Sequence, residues 1–406
     1  LLVSLPILSG LRVVEFSAFV AAPLSGLTLA QLGAEVIRVD PIGGNIDTTR
    51  MPVNGDGKSL YWASLNKGKR SVEIDVRGPQ GRKVLQDLIT APGQGSGIFV
   101  TNLSVDGELA YEALKARRPD VIMVQLIGSS DGGNALDYTV NCAAGFPMVT
   151  GDGKSGPVNH VLPAWDLVAG LTLATGILAA ERHRRETGEG QFVRLALSDV
   201  AFAAASNLGY LAEVEVNDAD RKADGNFLYG AYGDAFDTAD GRRVMALAIT
   251  DRQWKVLVRA IGMEEALKTA ADALGHSLDT EVGRYGAREL ISAFFRPWFA
   301  KHTLEQIAAK FTDRSLLWGP YRTFRQMLAE DPRVSEANPM FARVDHPVGR
   351  FLTAGTPLAF SESQRVPAGV GPVLGQDTAE VLGKILGMDD AALAALRGAG
   401  AIGGRA

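Results

Sequence analysis

Arg12-Val13-Val14-Glu15-Phe16, the apolar run from Phe19 to Leu32, and Glu35-Val36-Ile37-Arg38-Val39-Asp40 decide the fold of this chain. Short runs rich in β-branched residues read as buried strands, and the longer run between them reads as a helix, so this stretch predicts a βαβ unit. The pattern continues outward, with strands at Ser71–Val76, Gly97–Val100 and Val121–Ile127 and a helix over Gln80–Thr90. A long apolar helix from about Leu167, a strand at Phe192–Leu197 and a helix over Ser198–Glu213 extend it. Such alternation requires a parallel sheet joined by right-handed crossovers. Beyond it come a polar, turn-rich stretch at Val216–Gly230, a strand at Arg242–Ile249 and amphipathic helices over Asp251–Lys310. The end, Gly371–Ile402, carries two short helical patterns suited to packing back on the first part. The expected fold is α/β: a Rossmann-like parallel-sheet large domain over residues 1–215, completed by 330–406, and a smaller α+β domain over 216–329. No GxGxxG follows the first strand, which argues against a dinucleotide despite the layout.

At 406 residues the chain exceeds what one core serves, and 46% hydrophobic residues suffice for two. A net charge of -5 provides no basic field, so a nucleic-acid partner is not expected. The single cysteine, Cys142, forms neither an internal disulfide nor a zinc site, and the five histidines show no ligand spacing. A cytoplasmic protein without a metal or bound cofactor is expected. Leu1–Gly10 lacks the basic flank of a signal peptide. Leu167–Ala180 falls short of the roughly 20 residues a bilayer requires and runs into Glu181-Arg182-His183-Arg184-Arg185, so it reads as a buried helix, with no membrane partner.

Two carboxylates stand where chemistry could occur. Asp166 follows Pro163-Ala164-Trp165 and opens the long helix, where orphan N–H groups and the helix dipole would keep it ionised. On position alone it is more often an ordinary cap than a nucleophile. Asp137 lies in the loop after the fifth strand, at the end of the sheet where ligands of such folds bind, or serves there as a turn-forming residue. Tyr229-Gly230-Ala231-Tyr232-Gly233-Asp234 reads as a mobile lid or as a plain hairpin approach. Lys67-Gly68-Lys69-Arg70 reads as a phosphate site or, more often, a solvated loop, and Arg77 is better placed to meet a phosphate. Cys142 and His160 read as structural.

Taken in order, five segments resemble the class III CoA-transferases: Leu8–Phe16, Gln31–Pro41, Leu65–Ser71, Gly176–Ala180 with Thr187–Gln191, and Leu374–Thr378. The resemblance implies that Asp166, shortly before Gly176-Ile177-Leu178-Ala179-Ala180, is a covalent carboxylate nucleophile. It places Phe19, Val20 and Ala21 at the thioester and Ile74, Arg77, Asn102 and Leu103 along coenzyme A, with Arg77 on a phosphate; the backbone N–H groups around Val20 and Ala21 are candidates for stabilising developing oxyanions. Coenzyme A enters as part of the substrate, and the implied assembly is an interlocked homodimer. The racemase branch carries its histidine where this chain has Leu136, so racemase chemistry is not expected. The glycine run of the formyl-CoA branch is missing, and Tyr229–Gly233 stands in its place, with Tyr229 and Tyr232 as candidate covers. Ser17–Pro23, Val158–Asp166 and Asn226–Ala231 resemble a branch that moves CoA between the two carboxyl groups of one molecule. An intermolecular transferase acting on a dicarboxylate or carnitine-type acid, and a non-catalytic CoA-ester binder, are the alternatives.

Overall fold

The computed structural model describes residues 5–404. The chain divides into two compact units, one of Leu1–Ala144, His160–Asp218 and Pro332–Ala406 and one of Gly145–Asn159 and Ala219–Asp331. The excursion Gly145–Asn159, which the sequence reading left in the large domain, clusters with the second unit.

The first unit is built on six parallel strands: β1 (Arg12–Phe16), β2 (Glu35–Asp40), β3 (Arg70–Glu73), β4 (Ile98–Thr101), β5 (Ile122–Ile127) and β6 (Phe192–Ala196). Their order in the sheet is β3-β2-β1-β4-β5-β6, so the direction of travel reverses between β1 and β4 and leaves a crevice at their carboxyl ends. The helices that concern the site are α1 (Ala21–Ala30), α2 (Leu60–Asn66), α3 (Pro79–Thr90), α4 (Tyr111–Arg117), α5 (Asp137–Ala143) and α6 (Ala164–Thr187). The expected Phe19–Leu32 helix begins two residues late, because Phe19 takes a left-handed φ of 64°. The expected helix over Ser198–Glu213 is broken at Gly209, whose φ of 78° ends one helix and starts another. At 24 residues α6 is long and apolar enough to cross a bilayer, yet Trp165, Ala169, Gly170, Leu173 and Ile177 are buried within the first unit. The C-terminal segment adds Val381, Leu382, Leu393 and Ile402 to the core beneath β1–β4. It is fastened by Asp377, whose Oδ2 accepts from the Ser71 N–H at 2.8 Å.

Charged residues inside β1 and β2 form a buried network instead of breaking the sheet. Arg38 donates to Asp40 at 2.7 Å, to Glu15 at 3.2 Å and to Asp47 at 3.2 Å, all four side chains being almost wholly buried. Lys69 Nζ reaches Glu15 Oε2 at 2.9 Å, the Pro23 carbonyl at 2.7 Å and Asn66 Oδ1 at 2.9 Å, and burial pulls its pKa down to about 8 against the pull of Glu15. The run Lys67–Arg70 is therefore neither a phosphate site nor a solvated loop, since Arg70 pairs with Asp377 at 3.2 Å and Glu380 at 2.8 Å.

In the second unit β7 (Tyr232–Asp237), β8 (Arg243–Ala248) and β9 (Leu317–Pro320) form an antiparallel sheet. Its core is aromatic, with Phe236 stacked on Phe299 at 4.2 Å and Tyr232 edge-on to Phe295 at 5.6 Å.

Removing one member of a buried ion cluster leaves its partners charged and unpaired, which typically costs about 3–5 kcal/mol. Arg38→Met is expected to destabilise the first unit by that order, read by urea unfolding. A loss below about 1 kcal/mol would mean that water reaches the cluster.

Candidate active site

A cleft of about 620 Å³ opens at the carboxyl ends of β1, β4, β5 and β6, where the strand order reverses. Its floor is the turn from β1 into α1. Phe19 holds a backbone conformation that a bulky side chain adopts only when its surroundings over-determine it. Asn102, just past β4, supplies part of that: it accepts from the Ala18 N–H at 2.9 Å and donates to the Ala18 carbonyl at 2.8 Å. Asp47 Oδ2, a member of the buried network, accepts the Phe19 N–H at 3.2 Å. No side chain caps α1, and among the described residues no acceptor takes the Val20 or Ala21 N–H, so the positive end of the helix is offered to the cleft that both residues line. Gly170 lets α6 lie against this end, since a Cβ there would sit 2.8 Å from the Ala21 carbonyl oxygen.

Asp166 lines the cleft from the first turn of α6. It does not cap that helix. Asp137, buried at the start of α5, does so: its Oδ2 accepts the N–H groups of Trp165 at 2.7 Å and of Asp166 at 3.1 Å. The other Asp137 oxygen accepts from His160 Nε2 at 2.8 Å, and Trp165 Nε1 donates to Asn141 at 2.9 Å. Asp137 is thus no turn residue, and the helix-end N–H groups expected to hold the Asp166 carboxylate are taken by Asp137 instead. Among the described residues nothing donates to the Asp166 carboxylate, and burial, reinforced by the charge of Asp137 and opposed by Arg50, pushes its pKa up to about 6.

Arg50 and Tyr61 complete this side of the cleft. The guanidinium lies 5.6 Å from the ring centres of both Phe19 and Tyr61, and among the described residues it has no carboxylate partner. Among the described residues the buried Tyr61 Oη meets no hydrogen-bond partner, and burial pushes the phenol up to about 12, so it stays a neutral donor.

Of the residues expected at the site, Asp166, Asp137, Phe19, Val20, Ala21, Asn102 and Leu103 come together around the cleft. Ile74 does not: its side chain is fully buried in the core, where its backbone bridges Ile402. Arg77 is outside the cleft lining, 84% exposed and paired with Asp75 at 2.8 Å. Tyr232 is no cover, being 0% exposed in the core of the second unit with its hydroxyl 3.1 Å from Ser292 Oγ. Tyr229 is 47% exposed in that unit, its ring against Tyr285 and under the Arg221 guanidinium. Cys142 is exposed rather than packed. His160, read as structural, supports Asp137; Arg50 and Tyr61 were missed, Arg50 following the short turn Ile46–Thr49 and Tyr61 lying between Leu60 and Trp62 in a short helix that reads as ordinary core.

The cleft thus sets a partly buried carboxylate that meets no donor among the described residues beside an uncapped helix end, at the switch point of a Rossmann-like sheet. The chain belongs to CoA-transferase family III, which it matches over residues 8–378. It is 51% identical over 401 residues, 98% of either chain, to the 2-methylfumaryl-CoA isomerase of Chloroflexus aurantiacus. It is 27% identical to the succinyl-CoA:mesaconate CoA-transferase of Haloarcula hispanica, covering 92% of this chain and 95% of that one. A CAIB/BAIF family protein from Brucella suis superposes with a TM-score of 0.79 at 25% identity, covering 94% of this chain and all of the other.

The kcat/KM for CoA transfer is expected to fall on acidification through about pH 6, as Asp166 takes up its proton. Asp137→Asn keeps a capping oxygen but removes the neighbouring charge, so the acid limb is expected to move to lower pH. An unmoved limb would show that burial alone sets it. Folded Asp166 binds its proton more tightly than the unfolded chain does, so this residue lowers stability as pH rises from about 4 to 6 and keeps it lower above that. Asp166→Asn, which never ionises, is expected to be the more stable protein at pH 8, by about 1–2 kcal/mol relative to the difference at pH 4, after allowance for screening in the open cleft. Thermal melts at both pH values test this.

Proposed function

We propose that this enzyme moves coenzyme A between the two carboxyl groups of 2-methylfumarate (mesaconate), an intramolecular transfer with Asp166 as nucleophile. The observation that carries the reading is the Asp166 carboxylate itself, ionisable near neutrality and free of donors in the cleft, in a chain so alike, end to end, to an enzyme named for that isomerisation.

The ionised Asp166 oxygen attacks the thioester carbonyl, the C–S bond breaks, and coenzyme A leaves as thiolate from a mixed anhydride. The thiolate then attacks the aspartyl carbonyl, releasing 2-methylfumarate and leaving an aspartyl-CoA thioester. The other carboxylate of the same acid attacks that thioester, a second anhydride forms, and the thiolate returns to the new end, regenerating Asp166. No proton is gained or lost overall. The tetrahedral oxyanions face the free N–H groups of Val20 and Ala21, a fixed dipole that needs no reorganisation as charge develops. Arg77, if it meets a phosphate of coenzyme A, does so beyond the cleft that holds the acyl group.

A retained dicarboxylate presents its second carboxylate at an effective concentration of up to about 10⁵ M, so recapture outruns exchange with free acid. Transfer between separate molecules is the second reading, favoured by the likeness to the succinyl-CoA:mesaconate enzyme. On the first unit, Val168, Leu171, Phe202, Leu211 and Val214 are exposed, and an interlocked homodimer would cover such a surface.

Supplied with 2-methylfumaryl-CoA alone, the protein is expected to interconvert the two thioester isomers, and Asp166→Asn to lose more than about 10³-fold of that rate. Labelled free 2-methylfumarate is expected to enter the thioester pool far more slowly than the isomers exchange. Entry at the same rate would replace the isomerase with the intermolecular transferase. Sedimentation is expected to give a dimer mass, and a monomer would refute the interlocked assembly.

A further inference from the structure

The function proposed above gives the acyl group a second, negatively charged end, but the nucleophile and the helix end attend only to the end that reacts. Something in the cleft must hold the other. Two arginines line it, Arg50 and Arg194. Among the described residues neither is paired, but only Arg50 is close enough to Asp166 to act on its charge, and only Arg50 is bracketed by aromatic rings. A guanidinium laid against two rings keeps its planar fork free for a carboxylate, with part of its ordering already met. Tyr61, a residue of the same cleft lining, adds a buried hydroxyl that meets no partner among the described residues and that a ligand carboxylate entering beside it would relieve.

We propose that Arg50 and Tyr61 form the binding site for the acyl group's free carboxylate, the one not joined to sulfur, and thereby select dicarboxylic over monocarboxylic acyl-CoA esters. This rests on the reading of the substrate as a dicarboxylate. It also accounts for how one site serves both isomers. 2-Methylfumarate is nearly symmetric about its double bond, so when both carboxylates are free, at the aspartyl-CoA stage, the acid can present either end to Arg50 and the other to the thioester. The guanidinium holds whichever end is not reacting, and the methyl group is the only feature that differs.

The test measures binding without turnover. Full-length protein saturated with coenzyme A is titrated calorimetrically with 2-methylfumarate and with (E)-2-methylbut-2-enoate, which has a methyl in place of one carboxylate. The wild type is expected to bind the dicarboxylate at least about tenfold more tightly, the value of one charge-assisted contact. Arg50→Gln is expected to erase that preference, Arg50→Lys to keep part of it as a control for folding, and Tyr61→Phe to reduce it severalfold. Equal binding of the two acids by the wild type, an undiminished preference in folded Arg50→Gln, or a preference erased by Arg194→Gln alone would each overturn the assignment. The functional reading fails separately: wild-type protein that shows the Arg50-dependent preference yet does not interconvert the thioester isomers keeps this site and loses the isomerisation.

Discussion

One carboxylate, Asp137, occupies the amino end of α6 and thereby sets the character of the next. Its oxygens take the N–H groups of Trp165 and Asp166 and the ring nitrogen of His160, which satisfies the helix end and leaves nothing there for Asp166. The Asp166 side chain is consequently half-hidden, beside a like charge and without donors, and its proton affinity rises toward neutrality. A carboxylate stabilised by a helix cap would be a poor nucleophile because attack would break its hydrogen bonds. Here the cap and the carboxylate proposed as nucleophile are two different residues at one helix end.

The opposite wall depends on charge buried under the sheet. Arg38 and Lys69 pair with Glu15, Asp40 and Asp47, and Asp47 reaches from that cluster to the Phe19 amide. The network therefore does more than tolerate polar residues in strands: it holds the β1–α1 turn in a conformation that a phenylalanine avoids. With Asn102 bridging from β4, the turn is tied to both strands at the point where the sheet reverses. The Asp166 carboxylate and the end of α1 are then placed by rigid elements on two sides of one crevice, as the proposed transfer, in which two carbonyls successively occupy the same spot, would require.

Much of this was legible in the chain. The apolar runs at Arg12–Phe16 and Glu35–Asp40, with the helix between them, determine a parallel α/β sheet, because strands buried on both faces must be β-branched and continuous and their connections must cross over. The family motifs, lying in order along the chain, single out Asp166. Local pattern failed where contacts are distant in sequence. Lys67–Arg70 looks solvated until Glu15, 54 residues before Lys69, is placed beside it. Tyr232 reads as a lid cover, but it opens β7, a strand buried along nearly its whole length, and packs in the aromatic core.

What the sequence determined alone is the fold class and the family, since these follow from periodicity and from short ordered motifs, and the family resemblance points to Asp166 as the candidate nucleophile. Only the tertiary structure decided that Asp137 rather than Asp166 caps α6, that His160 supports it, and that Arg50 and Tyr61 wait unpartnered opposite. A hydrogen bond spanning 28 or 29 residues, or a pKa set by burial and by neighbours from two other segments, has no local signature. It exists only once the chain has closed.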